Sequence, residues 1–223
     1  MYEWRKMSDE EKAKTLKERK ARKVSWHAPP RWEYEGQVRF ILTAACYEHK
    51  PIISYSRSRM AECEAEILEA CNELQATVYA WCVLPNHYYL LIQTDKIKEL
   101  QIQLGKFHGS SSFRWNNEEN LRGRKVWYRS FERQMKSNRH FWASLNYVHN
   151  NPVHHGCVQK WQDWEFSSAN RFLERFGREK TTEIWREYPT LDYGKDWDVQ
   201  TVQSCGFSRD FPVQSCGFSR DST

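Results

Sequence analysis

Two short stretches of this 223-residue sequence gather side chains that can do chemistry. The first, Leu84-Pro85-Asn86-His87-Tyr88-Tyr89-Leu90-Leu91, sets an imidazole and a phenol two residues apart. The second, Asn146-Tyr147-Val148-His149-Asn150-Asn151-Pro152-Val153-His154-His155-Gly156, sets a phenol four residues before a carboxamide. Neutral imidazole is a good ligand for divalent metals, and a protonated phenol a much poorer one. A phenol titrates near 10, so at neutral pH it is a poor nucleophile without help. A metal ion gives such help by polarising the electrophile and stabilising developing charge. Each residue also has a plain reading. Tyr147 can be the core aromatic of an amphipathic helix, His87 a turn cap and Tyr89 a packing residue on an apolar strand. Asn151, just before Pro152, can be a helix terminator.

The elements that must hold these side chains follow from periodicity. Gln37 to Tyr47, Ala76 to Leu84, Tyr88 to Thr94 and Val126 to Gln134 read as strands. Arg57 to Leu74, Ile97 to Phe107 and Phe141 to Asn151 read as helices, the last stopped by Pro152. The polar, Ser-rich and Asn-rich stretch His108 to Lys125 reads as a loop, with room for a helix end. On a strand, His87 and Tyr89 share one face. On a helix, Tyr147 and Asn151 are neighbours one turn apart. The order β-α-β-β-α-β-α predicts an α+β fold: a ferredoxin-like antiparallel sheet with helices on one face.

The flanks differ from this centre. Ser8-Asp9-Glu10-Glu11 is a capping box that opens a charged N-terminal helix to about Lys23, and Pro29-Pro30 then breaks the chain. At the other end Val202 to Asp210 recurs residue for residue as Val213 to Asp221, without an aliphatic face, and reads as a disordered tail. The expected organisation is a basic helical extension (1–26), one central domain (27–176) and a C-terminal extension (177–223).

Charge is uneven. Residues 1–32 hold ten Lys or Arg against five Asp or Glu, which is the whole net excess of +5. Between Arg122 and Arg139 lie Arg122, Arg124, Lys125, Arg129, Arg133, Lys136 and Arg139, with Glu132 the single acid. Clustered positive charge attracts phosphate, and it also serves simply as a solvated face. The seven cysteines form no CxxC pair and read as buried free thiols of a reducing compartment, not a zinc site. A charged N-terminus and the lack of an 18-residue apolar run predict a soluble, cytoplasmic protein, away from membranes.

Four motifs in register resemble the REP-associated tyrosine transposases, relatives of the IS200/IS605 transposases within the HUH nuclease superfamily. They are PNHYYLL (85–91), Trp127-Tyr128-Arg129-Ser130-Phe131, YVHNNPVHHG (147–156) and Asp163-Trp164-Glu165-Phe166-Ser167-Ser168. The resemblance covers roughly residues 27–172. It implies that Tyr147 attacks a scissile DNA phosphate and forms a 5′-phosphotyrosine. It also implies a divalent metal, Mg²⁺ or Mn²⁺, held by His87, Asn151 and a second strand histidine. That histidine's place is taken by Tyr89, which makes the metal weakly bound. The implied partner is single-stranded DNA with a palindromic REP-type hairpin, and the implied assembly a monomer or a homodimer. The seven basic residues then read as DNA contacts, with Arg129 foremost, and His149, His154 and His155 as DNA-facing or surface residues. The rival reading keeps the fold and the hairpin but loses cleavage through Tyr89. A third, an RNA-binding ferredoxin-like domain, lacks an RNP-type motif.

Overall fold

The computed structural model describes residues 7–21, 36–128 and 130–190. The chain divides into two compact units, Met1–Glu35 and Gly36–Thr223. In the first, helix α1 spans Asp9–Ala21. Its capping box is formed: the Glu11 amide donates to Ser8 Oγ at 3.2 Å and the Ser8 amide to Glu11 Oε2 at 2.8 Å. Pro29-Pro30 and the C-terminal repeat lie outside the described residues.

The second unit runs β1 (Val38–Ala45), α2 (Arg57–Glu73), β2 (Thr77–Val83), β3 (His87–Thr94), α3 (Ile97–Glu118), β4 (Phe131–Gln134), α4 (Asn138–His154) and α5 (Ala169–Glu187). The four strands form an antiparallel sheet ordered β2-β3-β1-β4, the ferredoxin-like order. Strand β3 is interior, so its residues read as a continuous apolar run. Leu90, Leu91 and Ile92 are fully buried, each worth about 1.5–3 kcal/mol of transfer free energy.

Neighbours on β3 point to opposite faces. Tyr88 meets His108 of α3, hydroxyl to Nε2 at 3.0 Å. Tyr89 meets Tyr147 of α4. Helices α2 and α3 therefore cover one face and α4 covers the other, so the helices are not confined to the single face expected from the element order. Ser56 caps α2 by accepting from the Arg59 amide, and Ser137 caps α4 by accepting from the His140 amide.

Three expectations about element ends need correction, the first being β4, which begins at Phe131 and not at Val126, the earlier stretch giving only the isolated Cys46–Trp127 bridge. Helix α3 does not stop at Phe107 but continues to Glu118. Its polar extension hides a buried stripe, Phe107, Ser111 and Trp115 at i, i+4 and i+8, packed under Trp127. Ser111 donates its hydroxyl to the Phe107 carbonyl and accepts the Trp127 indole N–H, so its polarity costs the helix nothing. Helix α4 likewise runs past Pro152 to His154. Proline removes a donor to the preceding turn, while the amides after it still bond backwards. The His155 amide reaches the Asn151 carbonyl at 2.9 Å. Gly156, at φ 67°, ends the helix: its amide bonds the Val153 carbonyl, and that of Cys157 bonds Pro152.

The Asp163–Ser168 motif closes the edge of the sheet. Val83 donates its amide to the Phe166 carbonyl at 2.8 Å, and Ser168 donates its own to the Trp81 carbonyl at 3.0 Å. Ser168 Oγ accepts the Trp81 amide. Edge strand β2 is thereby paired on both sides. Cys46, Cys63, Cys71 and Cys82 are buried free thiols, and burial pushes Cys46 and Cys71 up to about 12. Cys157 lies half-buried just after α4.

Candidate active site

The site is the seam between β3 and α4. On the strand side, the Pro85-Asn86 turn is fixed by its backbone and side chain. Cys46 donates its amide to the Asn86 carbonyl at 2.7 Å, and Asn86 Nδ2 donates to the His49 carbonyl at 2.9 Å. The other side-chain atom, Asn86 Oδ1, lies 2.7 Å from His87 Nδ1. An amide oxygen can only accept, so Nδ1 carries the hydrogen and Nε2 is left as the lone-pair nitrogen. An acceptor that holds the far ring N–H in this way is the usual support of a metal-binding imidazole.

On the helix side, Tyr147, Asn151 and His155 follow at intervals of four and share a face. Its two ends meet the strand. The Tyr147 and Tyr89 hydroxyls lie 3.2 Å apart, with rings edge-on at a centroid distance of 5.4 Å. His155 meets His87 with centroids 5.0 Å apart and planes at 76°. His87 also stands edge-on to Tyr89, at 5.2 Å. Asn151 lies between these contacts along the helix. It is fully buried; its Nδ2 donates to the Tyr147 carbonyl at 3.1 Å, and its Oδ1 has no hydrogen-bond partner.

The sequence-named residues Tyr147, Asn151, His87 and Tyr89 thus come to one seam. His155, read from sequence as a surface or DNA-facing residue, joins them. Spacing carries the missed signal, since 147, 151 and 155 form one helical stripe once the helix passes Pro152. His149 also departs from its expected place. It is fully buried, its Nε2 lies 2.9 Å from Ser168 Oγ, and burial pulls its pKa down to about 3. His154 is exposed, as expected.

A metal fits the seam in part. His87 offers a lone pair held by Asn86, and Asn151 offers a buried amide oxygen with no other use. Tyr89 offers a phenol already turned to Tyr147. Among the described residues no group of three or more His, Cys, Asp or Glu can hold an ion.

The basic residues separate into two kinds. Arg122, Lys125, Arg133, Lys136 and Arg139 are exposed. The Lys125 ammonium lies 4.8 Å from the Tyr47 ring centroid and 5.3 Å from that of Tyr128. Arg124 is committed within the fold. It forms a fork-to-fork pair with Glu119, both contacts 2.7 Å, and donates Nε to Asn116. Glu119 also holds Arg59, which is 2% exposed. Arg129 lies outside the described residues. No helix among the described residues is long and apolar enough to cross a membrane.

Residues 34–151 match the family model described as "Transposase IS200 like". The chain is 27% identical over 148 residues to a protein of Haemophilus influenzae named "Putative REP-associated tyrosine transposase", spanning 62% of this chain and 82% of that one. Among solved structures it is similar to a REP-associated tyrosine transposase bound to a REP hairpin, with 19% identity and a TM-score of 0.49, over 67% of this chain and 87% of that one. It is also similar to a putative transposase from Deinococcus radiodurans, with 14% identity and a TM-score of 0.34, over 56% and 97% respectively.

Proposed function

Because the chain belongs to the IS200-like transposase family, we propose that it is a site-specific single-strand DNA endonuclease and strand transferase acting on palindromic hairpin DNA. The observation that supports this reading is the α4 stripe of Tyr147, Asn151 and His155, whose two ends meet Tyr89 and His87 of β3 across the seam. Tyr147 Oη attacks the scissile phosphorus, the bond to the 3′ oxygen breaks, and the phenolic proton is balanced by the proton gained by the released 3′-OH. The 5′ end stays on Tyr147 as a phosphotyrosine, and attack by another 3′-OH reverses the step and transfers the strand.

The protein's own residues position this reaction. Asn151 Nδ2 bonds the Tyr147 carbonyl, so the amide that is offered to a cation also braces the turn that carries the nucleophile. Asn86 orients His87. His87 and Asn151 would hold Mg²⁺ or Mn²⁺, which when bound supplies polarisation of the phosphate and neutralises charge. Tyr89 packs against the nucleophile, with the two hydroxyls 3.2 Å apart.

Arg122, Lys125, Arg133, Lys136 and Arg139 would track the DNA backbone, with Arg129 alongside them. Hairpin shape and stacking of unpaired bases would supply selectivity. The protein works as a monomer or homodimer, in the cytoplasm where bacterial chromosomal DNA lies.

Tyr89 favours one second reading, a hairpin-binding protein that has lost cleavage. Incubation with labelled hairpin DNA and Mn²⁺ separates the two. The enzyme forms a covalent protein–DNA adduct that disappears in Tyr147→Phe. Binding without an adduct, in the wild type and in Tyr89→His alike, leaves the binding protein.

A further inference from the structure

We propose that His155 supplies the second imidazole of a divalent-metal site shared with His87 and Asn151, in place of the strand histidine whose position Tyr89 occupies. The inference rests on the nuclease reading above and names a ligand that reading lacks.

Geometry is the first argument. Two imidazoles on one ion, each at a metal–nitrogen distance near 2.1 Å, set their ring centroids roughly 5 Å apart for ligand angles of 90–109°. The His87 and His155 centroids are 5.0 Å apart, with planes at 76°. The pair therefore already has the separation that a common ion needs.

The helix supplies the second argument. Asn151 lies four residues before His155 on the same face, and its Oδ1 is buried without a hydrogen-bond partner. A buried amide oxygen left unpaired costs about 1–3 kcal/mol, and a cation in the seam removes that cost. This is a third donor of a type that the usual imidazole, thiolate and carboxylate sets do not include.

The strand supplies the third. Asn86 holds Nδ1 of His87 and leaves Nε2 as its lone-pair nitrogen. Tyr89 is drawn away to the Tyr147 hydroxyl at 3.2 Å. Two imidazoles and one amide oxygen make a neutral, nitrogen-rich set, which favours Mn²⁺ over Mg²⁺.

The test uses the full chain and Mn²⁺. Free Mn²⁺ is followed by electron paramagnetic resonance during titration, and electron spin echo modulation counts the imidazoles on the bound ion. The expected result is one bound ion with two imidazoles. In His155→Ala and His155→Gln the affinity falls about tenfold or more and one imidazole remains. His154→Ala, at the exposed neighbour, changes neither. Near-ultraviolet circular dichroism shows whether each variant keeps its packing. A single imidazole in the wild type overturns the proposal, as does unchanged affinity in both well-folded His155 variants. Hairpin binding is measured on the same samples by gel shift. If the wild type binds Mn²⁺ through two imidazoles yet ignores the hairpin, the DNA reading fails and the metal site stands.

Discussion

The hydroxyl of Tyr147 lies 3.2 Å from that of Tyr89, and the two phenols are 3% and 2% exposed. The residue that stands where the family resemblance asks for a histidine is thus the direct neighbour of Tyr147, the proposed nucleophile. It packs and hydrogen-bonds Tyr147 but brings no imidazole to the seam. Tyr89→His is expected to raise Mn²⁺-dependent adduct formation about tenfold or more, equivalent to roughly 1.4 kcal/mol of barrier. The check is single-turnover cleavage of labelled hairpin, with Tyr147→Phe as the zero. Tyr89→Phe removes only the hydroxyl contact and is expected to cost about 1 kcal/mol of stability in urea unfolding.

Asn151 sets function against stability. Its Oδ1 is buried and without a hydrogen-bond partner. Replacing such a group by an apolar one of similar shape is neutral or stabilising. Asn151→Leu is expected to raise the unfolding free energy by about 1 kcal/mol while abolishing Mn²⁺-dependent adduct formation. Parallel chemical denaturation and adduct assays check both halves, and a loss of stability together with activity counts against a ligand role.

His149 makes stability depend on acid. Burial lowers its folded-state pKa from 6.5 to about 3, and that of His108 to about 4. Below pH 6.5 the unfolded chain takes up protons at both positions before the folded chain does. Stability is therefore fully present above about pH 6.5 and is lost as pH falls from there toward 4 and then 3. The expected loss is on the order of a few kcal/mol by pH 4. Urea midpoints measured from pH 7 to 4 should fall, and less steeply in His149→Gln than in the wild type.

Much of this fold is legible in the sequence because its strands differ so clearly from its helices. The run Tyr88 to Thr94 is apolar on both faces, as an interior strand with helices above and below must be. The end of α3 is less legible because Ser110, Ser111 and Ser112 look like loop residues. Each nevertheless donates its hydroxyl to a carbonyl of its own helix. The end of α4 is hidden by Pro152, whose ring suggests a stop although the true stop is Gly156. That one misplaced end also hides His155, because a helix ending at 151 has no third residue on its face. Arg124 shows the limit of charge counting, since composition does not reveal that Glu119 holds it.

The basic residues give the last expectation, because position separates them. Lys125, Arg133, Lys136 and Arg139 are exposed, while Arg124 is held by Glu119 and Asn116. A phosphate contact releases a counterion, so each exposed residue that tracks the backbone adds roughly 1 to the slope of log affinity against log salt. Alanine at Lys136 is expected to reduce that slope by about 1 without moving the unfolding midpoint. Alanine at Arg124 should do the reverse. It leaves Glu119 to Arg59 alone, strips the Asn116 contact and costs about 1–3 kcal/mol of stability, with the salt slope unchanged. Hairpin affinity measured by fluorescence anisotropy from 50 to 200 mM salt, beside urea unfolding of the same variants, tells the two kinds apart.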